Sequence, residues 1–266
     1  MHVHFLDPYV PRRSPIHSLD PRLKLTLALA FILTVSLTPP QSWPVYVLLL
    51  SLLLAIEVLS NLGILYVLRR AMLAAPFVLA ALPVIFTIEG APLFSLALGS
   101  WTLSASGEGL ARFLSIALKS WISVQAAIVL AATTTFPDLL VAMRAIRVPR
   151  LMVAVFGLMW RYLFVLVDEV LRLLRARLAR SGEAGIPGAR SGGSLPWRGR
   201  VAGGMAGSLF LRAFERSDRI YNAMLSRGYD GEVRALPLPA LQRWHWLVLA
   251  GGLGLLALLL ALAYLL

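Results

Sequence analysis

The chain has 266 residues, of which 59% are hydrophobic and only 14% charged, with 25 Lys and Arg against 13 Asp and Glu for a formal charge of +12. So apolar a composition predicts a chain solvated by lipid rather than water, and places the excess positive charge toward anionic lipid or an acidic partner. The absence of cysteine excludes disulfides, thiolate metal sites, cysteine nucleophiles and iron–sulfur ligation.

The N-terminal stretch MHVHFLDPYVPRR lacks the basic-then-apolar order of a cleavable signal peptide, so the first apolar run is expected to be a retained span. His2 and His4 stand two apart, but two terminal histidines do not fill a coordination sphere, and no metal site is expected. Asp20-Pro21 fits a helix start, with Asp as N-cap and Pro at the first helical position. Apolar stretches near the ~20 residues needed to cross a bilayer fall at about 23–40, 43–63, 71–89, 110–133 and 244–266. The pattern predicts five spans, the third kinked at Pro76 and Pro83. Glu57, in the second span, is expected to snorkel or pair at the inner interface. Lys119, in the fourth, is expected to snorkel to the outer one.

Orientation follows from Lys and Arg, which are retained on the cytoplasmic side. With the N-terminus inside, Arg12, Arg13, Arg22 and Lys24, the connection holding Arg69 and Arg70, and residues 134–243 place 23 of the 25 cations in the cytoplasm. The loop at 90–109 holds Glu108 and no cation, as an outside loop should. The expected organisation is an N-terminal transmembrane domain at 1–133, a cytoplasmic region at 134–243 and a C-terminal span at 244–266 that ends outside. Leu151–Val167 is apolar enough to be a sixth span, but crossing there would export Arg172, Arg175, Arg177 and Arg180, so it is read as a helix at the membrane face.

Within the insertion, Thr135-Phe136-Pro137-Asp138 predicts a capped helix that stops at Pro149. From there a helix of about thirty residues is predicted, with Asp168 and Arg172 at a pairing distance of i,i+4. Residues 182–204, rich in Gly, Pro, Ser and Arg, read as a mobile linker. The stretch 208–228 predicts a second amphipathic helix, with Gly228 as its cap.

The two long helices end alike: Ala179-Arg180-Ser181 closes one and Ser226-Arg227-Gly228 the other. Small flanks leave an arginine's donors free to reach a carboxylate or a partner's helix-end carbonyls. Equally, cations and small residues favour helix C-termini for local reasons. The chain has no GxxxxGK[ST] phosphate loop, no G-x-S-x-G elbow and no HExxH helix, which counts against an enzyme. One aromatic, Trp197, in the basic 190–200 stretch is too little for nucleic-acid binding.

Four stretches then carry a family likeness. They are Tyr9-Val10-Pro11 with Ser14-Pro15-Ile16-His17-Ser18-Leu19-Asp20-Pro21-Arg22-Leu23-Lys24; Thr135-Phe136-Pro137-Asp138-Leu139-Leu140; Trp160-Arg161-Tyr162-Leu163-Phe164; and the two arginine motifs. Together they resemble the transmembrane T component of energy-coupling factor (ECF) ABC transporters, departing by a Ser at one flank of each arginine. The resemblance implies an all-α integral membrane protein of about five transmembrane helices with two long, crossed cytoplasmic coupling helices. It implies a non-catalytic subunit without cofactor in the cell membrane. Ala179, Arg180, Ser181, Ser226, Arg227 and Gly228 would dock on two cytoplasmic ABC ATPases, and the apolar faces would hold a membrane S component that binds the substrate. His17, Asp20, Pro21 and Lys24, inside the N-terminal signature, would be structural. The stretches at 160–164 and 208–231 look most like the cobalt-type component CbiQ, pointing to cobalt or nickel import, whereas the Tyr9-Val10-Pro11 opening looks more like EcfT, the component shared in vitamin uptake. A standalone permease or channel is the rival from another class, and the few charges inside the spans weaken it.

Overall fold

A computed structural model describes residues 8–88, 92–98, 101–180, 193–231 and 240–265. The described residues form two compact units: one within 8–147 together with 240–265, and one within 148–231.

In the larger unit a one-turn helix α1 (Pro15–Ser18) leads into α2 (Pro21–Leu37) and α3 (Trp43–Leu59). A broken run follows: α4 (Ile64–Ala71), a 3-10 turn (Met72–Ala74), α5 (Ala75–Ala80) and α6 (Val84–Thr87). A hairpin of β1 (Pro92–Leu98) and β2 (Trp101–Ser106) leads to α7 (Gly107–Thr133) and α8 (Phe136–Ala145), and α11 (Arg243–Leu265) completes the unit. The other unit holds α9 (Arg150–Arg180) and α10 (Leu195–Leu225).

The all-α membrane fold expected from the sequence is the fold observed, with the small antiparallel hairpin added in the 90–109 connection; its register runs from Pro92 opposite Ser106 to Leu98 opposite Trp101. Among the described residues four helical runs are long and apolar enough to cross a membrane, Ile64–Thr87, Gly107–Thr133, Arg150–Arg180 and Arg243–Leu265, and α3 is a shorter apolar helix. The third span was expected at 71–89. Its helical run instead begins at Ile64, so Arg69 and Arg70 lie inside it. Pro76 sits in the first turn of α5 and Pro83 precedes α6, so each proline restarts a short helix where the missing N–H interrupts the ladder.

Lipid gives little hydrophobic drive between helices, so close packing and buried hydrogen bonds must hold these together. Phe31 and Val35 of α2, Val45, Leu49 and Leu53 of α3, Ile122 and Ala126 of α7, and Leu256, Leu259 and Ala263 of α11 form the main core. Hydrogen bonds fix both ends of this bundle. At one end Lys24 Nζ donates to the Thr133 carbonyl (3.0 Å) and Val10 N–H to that of Ala132 (3.0 Å). At the other, Ser42 Oγ donates to the Ala263 carbonyl (2.6 Å), Tyr264 to Leu37 (3.2 Å) and Lys119 to Ser36 (3.0 Å), while the Tyr46 hydroxyl meets that of Ser115 (2.8 Å). The start of α2, the end of α7 and the start of α11 therefore share an end with Arg12, Arg13, Arg22, Lys24 and Arg243, whereas Arg112 and Lys119 belong to the opposite end.

Glu57 departs from expectation. It is 1% exposed, has no ion pair among the described residues, and faces the Gln125 amide of α7.

Candidate functional site

The two long helices arise from different sequences. In α9, Leu, Arg, Ala and Met dominate 31 residues, all good helix formers. In α10, residues 195–204 are helical rather than the expected linker, which leaves 182–192 of that stretch outside the described residues. Ser194 starts the helix: its hydroxyl accepts from Trp197 N–H, with Pro196 in the first turn, and the contacts of α10 with α9 help to carry it through Gly199, Gly203, Gly204 and Gly207.

Val170, Leu173, Leu174 and Arg177 of α9 line a cavity of about 220 Å³ with Ala202, Met205, Ala206 and Leu209 of α10. Farther along, Leu166 and Glu169 share a smaller one with Leu209, Arg212, Ala213, Glu215, Arg216 and Arg219. Later residues of α10 thus face earlier ones of α9, so the pair runs antiparallel. Glu169 holds the crossing: its carboxylate accepts from Arg212 at 2.5 Å and lies 3.4 Å from Arg172. The sequence suggested Asp168 as the partner of Arg172; the observed pair is i,i+3 rather than i,i+4.

From this crossing the helices run on to Arg180 and to Arg227 in opposite senses. At 1.5 Å per residue these stretches are about 16 and 22 Å long, which sets the two arginines up to roughly 40 Å apart. Ala179, Arg180, Ser226, Arg227 and Gly228 are all exposed, and Ser181 lies outside the described residues. The end of α10 is the better defined. Tyr229 N–H donates to the Met224 carbonyl (3.0 Å) and Gly228 N–H to that of Leu225 (2.9 Å), with Gly228 at φ +78°. This is a Schellman cap, in which Arg227 is the last residue before the glycine that turns the chain away. The arrangement brings the two arginines to separate ends of one helix pair, not to a common centre.

The N-terminal residues converge separately. Asp20 caps α2, accepting from Arg22 N–H at 2.9 Å, with Pro21 next to it. His17 Nε2 faces the Val10 carbonyl at 3.1 Å and so must donate to it; Nδ1 then accepts from the Ser14 hydroxyl at 2.7 Å. Burial pushes the His17 imidazole below its ordinary range. The Val10 carbonyl opposes this, and the Lys24 charge adds to it. Lys24 Nζ donates to the His17 carbonyl (3.1 Å) as well as to Thr133, tying α1 to the end of α7. Directly beyond, Thr135 caps α8, its hydroxyl accepting from Asp138 N–H (3.3 Å) and meeting the Asp138 carboxylate at 2.6 Å. Among the described residues no three His, Asp or Glu side chains converge on a metal position, and His2 and His4 lie outside them.

A family model described as cobalt transport protein, CbiQ, matches residues 12–237. An uncharacterized protein of Methanocaldococcus jannaschii is 26% identical over 86% of this chain and 76% of its own length. The energy-coupling factor transporter transmembrane protein EcfT of Lactococcus lactis is 29% identical over 84% of this chain and 83% of its own. The cobalt transport protein CbiQ of Rhodobacter capsulatus is 28% identical over 59% and 61%.

Proposed function

This chain belongs to the cobalt transport protein (CbiQ) family, and on that premise we propose that it couples ATP-driven motion to substrate uptake as the transmembrane component of an ECF transporter. The observation that carries this reading is that two antiparallel 31-residue helices each lead to an exposed arginine beside a small residue, Arg180 as the last residue of α9 and Arg227 two residues past the end of α10, at opposite ends of the pair. Two ABC ATPases that move relative to one another need two separated attachment points on one stiff element. Arg180 and Arg227 supply guanidinium forks suited to helix-end carbonyls or carboxylates in a groove. Ala179, Ser181, Ser226 and Gly228 keep the approach clear, the apolar faces of the helices take the S component, and hydrolysis belongs to the ATPases.

The basic end of the bundle is the cytoplasmic one in this reading, so the N-terminus is inside and α11 ends outside. On the same grounds α9 lies at the cytoplasmic face, since a crossing would export the arginines of its second half. The coupling region then comprises 134–243, between transmembrane segments at 1–133 and 244–266. Because the chain has no cysteine, single replacements test this directly. Arg198→Cys should react with an impermeant maleimide only after the membrane is opened, and Glu108→Cys from outside in intact cells. The reverse pattern would overturn the orientation.

The cargo is cobalt or nickel in the reading favoured here, supported by the description of the matching family. The longer match to EcfT than to CbiQ favours the second reading, a T component shared among vitamin-binding S components. Co-expression with the ATPases and S components encoded nearby, followed by uptake of radioactive cobalt or of vitamins, separates the two. Docking is tested by co-purification of wild type and an Arg180→Glu/Arg227→Glu double variant with the ATPases. Loss of the ATPases from a variant that keeps its size-exclusion profile supports the reading; retention moves the docking site elsewhere.

A further inference from the structure

Glu57 stands in the last turn of α3, two residues before the helix ends, and is buried with Gln125 of α7, itself 2% exposed. With the Gln125 amide oriented to accept from the Trp121 indole N–H, its nitrogen lies 3.3 Å from Glu57 Oε1. The other carboxyl oxygen, Oε2, has no hydrogen-bond partner, and among the described residues Glu57 enters no ion pair.

An ionised carboxylate would be poorly served here. It would have a single donor, a buried position one turn from the core residue Leu53, and the partial negative charge of its own helix's last carbonyls. Four basic groups of the neighbouring elements, Lys119, Arg70, His17 and Lys24, are engaged elsewhere. Lys119 of α7 bonds the Ser36 carbonyl at the far end, where Arg112 also lies. Arg70 of α4, next to Arg69, covers the Tyr66 ring at 4.5 Å, and the buried Tyr66 hydroxyl has no partner. His17 of α1 is held by Ser14 and Val10, and Lys24 of α2 by His17 and Thr133. Between His245 and Tyr264, α11 has no titratable residue.

We propose that Glu57 is a proton-binding site: the ligand is a proton on Oε2, which keeps the side chain a neutral carboxylic acid and makes Trp121–Gln125–Glu57 an uncharged tie between α3 and α7. The site does not depend on ATPase docking, and its test uses the full chain alone in lipid nanodiscs. Infrared spectra of wild type at neutral pH should contain the C=O stretch of a protonated carboxylic acid, sensitive to deuterium exchange, because exposed carboxylates are ionised there. The band should vanish in Glu57→Gln, whose amide keeps the shape and neutrality of the acid. Should that variant fail to fold, Gln125→Leu removes the bond to Oε1 and should shift the band instead. A wild-type spectrum with carboxylate bands alone, or an acid band that neither substitution alters, overturns the proposal.

Discussion

Replacing Gly228 with Ala isolates the cap that positions Arg227. Gly228 has φ +78°, and a Cβ placed on it would meet nothing within 4 Å. Sterics with the surroundings therefore contribute nothing, and the cost is that of holding an L-residue in the left-handed region, about 1–2 kcal/mol. The two hydrogen bonds from Tyr229 and Gly228 to Met224 and Leu225 can form only if that conformation is kept. The last turn of α10 should therefore open about 5–30 times more often, the factor that 1–2 kcal/mol represents. Hydrogen exchange of the 228 and 229 amides, followed by mass spectrometry in detergent, should accelerate by that factor while α2, α3 and α7 keep their rates. Gly228→Asn should lie between the two, because Asn tolerates the left-handed region better. Unchanged exchange in Gly228→Ala would refute the assignment of the cap, and with it the reason Arg227 leaves the helix in a fixed direction.

Two further perturbations probe the ends of the bundle. His17 is pushed below its ordinary range mainly by burial, so the unfolded chain, with its imidazole near pH 6.5, binds that proton more readily than the folded one. The neutral ring contributes stability that is fully present above about pH 6.5 and lost as pH falls through the lower folded value. The melting temperature of wild type should drop over that acid range more steeply than that of His17→Gln; parallel curves would remove His17 from the account. Gly109→Ala would bring a Cβ to 2.6 Å from the Ile85 carbonyl oxygen and 2.8 Å from Ser106 Oγ. Since the first is backbone, α6 or α7 must move, at about 1–3 kcal/mol, and the first turn of α7 should lose exchange protection. A Gly109→Ala protein that melts with wild type would show that α6 and α7 are not in close contact there.

How legible this architecture was depends on whether a short stretch carried its own signal. Asp20-Pro21 and Thr135-Phe136-Pro137-Asp138 each hold both cap and first turn within four residues, and both start helices where they should. Gly228 was readable because a glycine after an amphipathic run has few other uses. The broken run from Ile64 to Thr87 was not, because Arg69 and Arg70 looked like a connection while local backbone hydrogen bonds carried the helix through them. The hairpin at 92–106 was hidden in a stretch read only for its charge. Trp-Thr-Leu-Ser-Ala-Ser at 101–106 does alternate with period two and could have raised it.

Two other departures share a physical cause: placement decides where composition alone points the other way. Four glycines between 199 and 207 each lower helix propensity by about 1 kcal/mol relative to Ala, so the segment looked like a linker, yet Ser194 and Pro196 nucleate the helix and Leu209 and Arg212 anchor it farther on. At Glu57 the opposite happened. A charged residue one turn from a helix end ordinarily reaches water, and nothing local contradicts that. What keeps it inside is Gln125, 68 positions later in sequence, and the packing of α3 on α7 that brings the two together. A polar pair of that separation has no signature in a single sequence, whereas an arginine at a capped helix end does. That difference explains why the arginines at the two helix ends are legible in the chain, their docking role being what the family resemblance implies, whereas the buried carboxyl's surroundings are not.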